Sequence, residues 1–159
     1  MKHLASLAAL AAALIAAPAA AQTHTHAHED HGVRVDSHAD REELRRMMQP
    51  YVDSARASWP AVRQSFQAGM GPKAQLFAVT RLHDMAGHEE QVFVSVERVA
   101  EGRVHGRIFS QIELVDGFTY GQPYDFAEPD LVDWLIMRED GSMDGNFVGR
   151  FLQGLEQPQ

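Results

Sequence analysis

A chain of 159 residues with 14 basic against 22 acidic side chains carries a formal net charge of -8 at pH 7, and it contains no cysteine. Such a surface repels phosphate backbones and anionic headgroups, which argues against nucleic acid and membrane surfaces as partners. Without cysteine there are no disulfide staples, no thiolate nucleophile and no lipoprotein acylation, so the folded part must hold together by its apolar core.

The first segment has three parts: basic Met1-Lys2-His3, an apolar run from Leu4 to Ala17, and Ala-x-Ala sites at Ala17-Pro18-Ala19 and Ala19-Ala20-Ala21. This pattern predicts a cleaved secretory signal over residues 1–21 and a periplasmic or secreted protein. The run is too short for the roughly 20 apolar residues of a bilayer-spanning helix, so no membrane insertion is expected after cleavage.

Residues 22–38 offer almost nothing apolar to bury and read as a flexible tail. The tail holds His24, His26, His28, His31 and His38, and neutral imidazoles suit zinc, copper and nickel. A cut after Ala21 would leave Gln22-Thr23-His24 at the terminus. Its free amine, two amides and an imidazole at the third position could wrap a square-planar Cu(II) or Ni(II) ion. The other reading of the tail is a solvated polar segment with no metal.

From residue 39 to 159 the pattern predicts a single α+β domain. Ser37 or Asp40 would cap a helix through Met48, which Pro50 interrupts. A second helix from near Asp53 would bury Ala55, Ala57, Trp59, Val62 and Phe66, with Pro60 kinking or restarting it and Gly69 or Gly71-Pro72 ending it. Gln75 to Leu82 is apolar on both faces at first, as an interior strand is. Gln91 to Val99 alternates, with Val92, Val94 and Val96 against Ser95 and Glu97, as a half-buried antiparallel strand does.

A strand at Arg103 to Phe109 follows the Glu101-Gly102 turn, and short strands are expected at Ile112 to Val115 and Tyr124 to Phe126. Trp134 to Arg138 leads into Asp140-Gly141, a pair suited to a tight hairpin. Asp144 would cap a final helix whose Phe147, Phe151, Leu152 and Leu155 dock on the sheet. The expected fold is thus an antiparallel sheet of about five strands with N-terminal helices and a C-terminal helix packed on it.

Gly106-x-Ile108, Gly121, Tyr124-x-Phe126, Leu131-x-Asp133-Trp134, Asp140-Gly141 and Gly145-Asn146-Phe147-x-x-Arg150 together resemble the YegJ-like family of uncharacterised bacterial proteins, domain of unknown function 2314. The resemblance runs from the helix around Ala55 to Phe151. It departs from the family pattern at Asn146, where a second glycine is usual, at Val148, where threonine is usual, and at Ser110, where asparagine is expected. It implies a small α+β domain and carries no activity with it.

Asp133, Trp134, Asn146 and Arg150 are the candidate ligand-binding residues. Each also has a structural reading: an indole filling the core, a carboxylate capping a turn, an arginine in a salt bridge. The loop His83-Asp84-Met85-Ala86-Gly87-His88-Glu89-Glu90 supports a hydrolase alternative. His88-Glu89 resembles the start of a zinc-protease motif, but Val92 stands where its second histidine is required. No nucleophile elbow or phosphate-cradling loop is present. The leading expectation is an exported, non-enzymatic module that binds an envelope protein or a small ligand. The alternatives are periplasmic Cu, Ni or Zn binding through Gln22, His24, His26, His28 and His31, and hydrolysis at the His83 to Glu90 loop.

Overall fold

Apolar residues recur every three or four positions from Met48 to Val62, and they fall on one side of a single helix, α1, His38–Gln67. The computed structural model describes residues 38–71 and 73–156, all within one structural unit, Val33–Gln159. The export signal, residues 22–37 of the histidine tail with the metal set, and Pro72 lie outside the described residues, whereas His38, read as the end of that tail, is the first residue of α1.

The expected break into two N-terminal helices is not found. Pro50 and Pro60 both lie inside α1, and both are exposed. Each removes an N–H and crowds one turn on the solvent side, while the opposite side stays anchored through Met48, Val52, Ala55, Trp59 and Val62. Burial of that stripe outweighs the local cost, so the helix carries on through both prolines. Two further details change with it: Ala57 faces solvent, and Asp40 sits in the first helical turn rather than at its cap.

Six strands follow: β1 (Gln75–His83), β2 (Glu89–Ala100), β3 (Arg103–Ile108), β4 (Pro123–Ala127), β5 (Asp133–Met137) and β6 (Met143–Gly145), with a turn of 3-10 helix at Glu128–Asp130 and α2 (Phe147–Glu156) at the end. They form one sheet in the order β4-β3-β2-β1-β5-β6, and every pairing is antiparallel. The α+β class is therefore as expected, with one strand more than the reading of about five. β1 lies inside the sheet between β2 and β5 and is buried on both faces, in keeping with its apolar run.

In β2 the alternation of Val92, Val94 and Val96 breaks at a bulge between Val96 and Arg98. The extra residue turns Val99 back to the buried side. Glu101 and Gly102, both with positive φ, close the β2–β3 turn.

Ile112 to Val115 is not a strand. Its backbone donors go to a side chain instead of a neighbouring strand: the Glu90 carboxylate accepts the N–H groups of Glu113, Leu114 and Val115, and Asp84 Oδ2 accepts that of Asp116 at 3.3 Å. Two acidic residues at the β1–β2 end thus clamp the loop between β3 and β4.

The larger apolar cluster joins Ala55, Trp59 and Val62 of α1 to Leu76, Ala78, Leu82, Val92, Val94, Val96, Trp134 and Ile136 of the sheet. A smaller one joins Met48 and Val52 of α1, Val148 of α2, and Val79 and Val132. α1 therefore bridges both clusters, and α2 enters the second.

Candidate functional site

The residues from Asp133 to Arg150 meet where β5, β6, α1 and α2 come together. Asp133 is 1% exposed and acts as a backbone acceptor on two sides. Its Oδ1 takes the Trp134 N–H at 2.8 Å and its Oδ2 takes the Val148 N–H at 2.7 Å, in the first turn of α2. Burial is the largest influence on this carboxyl and pushes it above the ordinary carboxylate range, against the opposing pull of the Trp134, Val148, Phe147 and Gly149 N–H groups.

The cap of α2 thus comes from β5 and not from Asp144, as the sequence had suggested. Asp144 belongs to β6 and pairs with Arg138, and the chain turns at Gly145 and Asn146 before the helix begins. That turn carries Asp144 away from the first helical N–H groups.

Trp134 is buried and its indole N–H donates to Ala55 O at 3.1 Å and Ser58 Oγ at 3.0 Å, which fastens β5 to α1. Gly145 has φ +82°, and a Cβ there would collide with the Trp134 carbonyl oxygen and indole ring. Asn146 follows at φ 56°, a left-handed conformation that asparagine tolerates better than most side chains. Asn146 thus holds glycine-like geometry. Val148 is 2% exposed in the smaller cluster, and Ser110 Oγ accepts the Phe93 N–H at 2.9 Å.

Arg150 is different from these three. It is exposed, and its guanidinium lies over the Phe147 ring at 5.5 Å from the centroid. No carboxylate of the described residues lies within ion-pairing distance of it, so the salt-bridge reading of Arg150 is not met, while the turn-capping reading of Asp133 is. Arg150 lines a groove of about 500 Å³ with Tyr51, Phe147, Phe151, Gly154 and Leu155. Tyr51 of α1 and Phe151 of α2 stack at 4.5 Å with their planes 22° apart.

The α2 face expected to dock on the sheet is therefore divided: Phe147 meets Trp134 edge-on at 5.7 Å, Phe151 packs on α1, and Leu155 remains 46% exposed. Tyr51 had no place in the sequence reading, since it follows Pro50, where a break was expected. Its spacing of three from Met48 and four from Ala55 was the available signal, on a helix read as continuous.

The His83 to Glu90 segment is a hairpin connection, as read. Asp84 Oδ1 accepts the Ala86 and His88 N–H groups, and its Oδ2 meets His88 Nδ1 at 2.7 Å. Burial works to raise the Asp84 carboxyl, but the hydrogen bonds from the His88 ring and from the His88 and Asp116 backbone together hold it down at about 2. Glu89 is engaged with Arg45 and Arg81 and lies 3.7 Å from His83 Nδ1, and Glu90 is engaged with the clamped loop, which leaves the His83 and His88 rings, 61% and 59% exposed, as the accessible imidazoles. Among the described residues no group of three or more His, Asp or Glu side chains is arranged to hold a metal ion, and no helix is long and apolar enough to cross a membrane.

Fold and groove together define an α+β domain whose six-stranded antiparallel sheet supports a helix pair, with an open aromatic groove on that pair. No family model, no curated protein and no solved structure matches the chain.

Proposed function

We propose that this chain is an exported, non-enzymatic binding module whose contact surface is the groove between α1 and α2. The observation that carries the reading is Arg150, a cation with no carboxylate of the described residues within ion-pairing distance, at the rim of a groove otherwise built from Tyr51, Phe147, Phe151 and Leu155. Apolar walls with a few placed polar groups, here the Arg150 guanidinium and the Tyr51 hydroxyl, are the usual make-up of a small-ligand site. Asp133, Trp134 and Asn146 serve it indirectly, by fixing where α2 starts and how it lies on α1. The YegJ-like resemblance belongs to this proposal. Gly106 and Gly145, two of the residues that carry it, are positions where a Cβ has no room.

The test is aromatic NMR of fluorotyrosine- and fluorophenylalanine-labelled protein mixed with a small-molecule extract of the cell envelope. Shifts confined to Tyr51, Phe147 and Phe151 are expected. Shifts at Phe109 and Tyr120, exposed on the far loop, with none in the groove would remove the reading.

One observation favours a second reading. An imidazole oriented by a carboxylate at 2.7 Å and 59% exposed has the form of a general base. On that reading His88 activates water for hydrolysis. Turnover of ester or phosphoester substrates that survives in a His88→Ala variant would dispose of it.

A further inference from the structure

Resting on the groove reading above, we infer that the ligand is a small apolar carboxylic acid, a single carboxylate joined through a short chain to a ring or branched alkyl group. The charge pattern selects the head. A planar guanidinium matches a carboxylate through two parallel N–H donors, and Arg150 is exposed, with its guanidinium carbon 5.5 Å from the Phe147 ring centroid.

The protein's own acidity selects a monoanion. Arg150 neutralises one negative charge, so the second charge of a phosphate dianion would be left facing Asp144, close enough to sense Arg150, and a chain of net charge -8.

The walls select the tail. Beyond Arg150 the lining is aromatic and aliphatic, and it ends at Leu155, five residues further along α2. At the helical rise this is about 7.5 Å, room for one ring and a short linker. A peptide is a poorer fit. Of the lining side chains only the Tyr51 hydroxyl and Arg150 are polar, so peptide amides laid in the groove would lose water without gaining partners.

The experiment uses the full mature chain and three matched probes, hydrocinnamate, hydrocinnamyl alcohol and phenylpropylamine. Each is titrated by calorimetry and by NMR of Tyr51, Phe147 and Phe151. The acid is expected to saturate one site and to bind at least about tenfold tighter than the alcohol, the size of one charge-assisted pair, with no binding of the amine. Arg150→Gln, an exposed change that leaves the fold intact, removes that preference, and Arg150→Lys retains part of it. Equal binding of acid and alcohol in the groove, or acid binding unchanged in Arg150→Gln, overturns the carboxylate assignment while the groove reading stands. If no probe moves the groove resonances, both fall.

Discussion

Asp133 shows at the scale of one side chain why a buried charge can be retained. Its two oxygens satisfy N–H groups that neither β5 nor α2 could satisfy alone. Asp133→Asn keeps one acceptor and turns an amide N–H₂ toward a backbone donor, so a loss of about 1–3 kcal/mol is expected by urea denaturation. The pH dependence has a definite sign. Because the folded carboxyl lies above its ordinary value, folding takes up a proton between the two values. The stabilising contribution is full below the ordinary pKa and declines as pH rises through the raised one. The difference between wild type and Asp133→Asn should therefore narrow from acidic to neutral pH, and a gap that widens would contradict this account.

Asp84 goes the other way. Held at about 2, its carboxyl should titrate there by carbon NMR, and its contribution to stability persists above the ordinary value and fades only as pH falls toward about 2. In His88→Ala the midpoint should climb back toward the ordinary range. No movement would show that the ring has no part in holding the carboxylate.

At the scale of elements, α1 is where sequence and structure part most clearly. A proline within a helix is a local signal, whereas the stripe from Met48 to Val62 acts only once a sheet is there to receive it. If α1 is continuous, Pro50→Ala and Pro60→Ala each restore an N–H and relieve crowding inside a formed helix. A gain of up to about 3 kcal/mol in thermal or urea stability is expected from each. Two separate helices meeting at Pro50 would instead leave Pro50→Ala neutral or destabilising.

The strands were legible where alternation or tight turns marked them. β2 and the Asp140-Gly141 hairpin follow from Val92, Val94 and Val96 and from a glycine at φ 80°. Ile112 to Val115 misled because its apolar residues look like a strand while its donors are taken by Glu90, twenty-odd residues away in sequence. Glu90→Gln should loosen that loop and raise amide exchange at Glu113 to Val115 by about tenfold or more, with the β1–β2 amides unchanged.

For the molecule as a whole, the region around the candidate site was legible, and its division of labour was not. Asp133, Trp134, Asn146 and Arg150 do gather at one junction, yet three of them fix the junction and one faces outward. Tyr51 completes the groove from a helix turn that sequence alone assigned to a break. The histidine tail is a separate proposal. Deletion of residues 22–38 from the mature protein should abolish stoichiometric Cu(II) or Ni(II) uptake near neutral pH, and equal uptake with and without the tail would dismiss it.

The groove account is met most directly by native mass spectrometry of the protein purified from the envelope of the cells that make it, wild type beside Arg150→Gln. The account predicts a non-covalent adduct with the mass of a small organic acid on the wild type and its loss from the variant. An adduct retained in Arg150→Gln would contradict the carboxylate assignment, and bare protein in both would contradict the groove account itself.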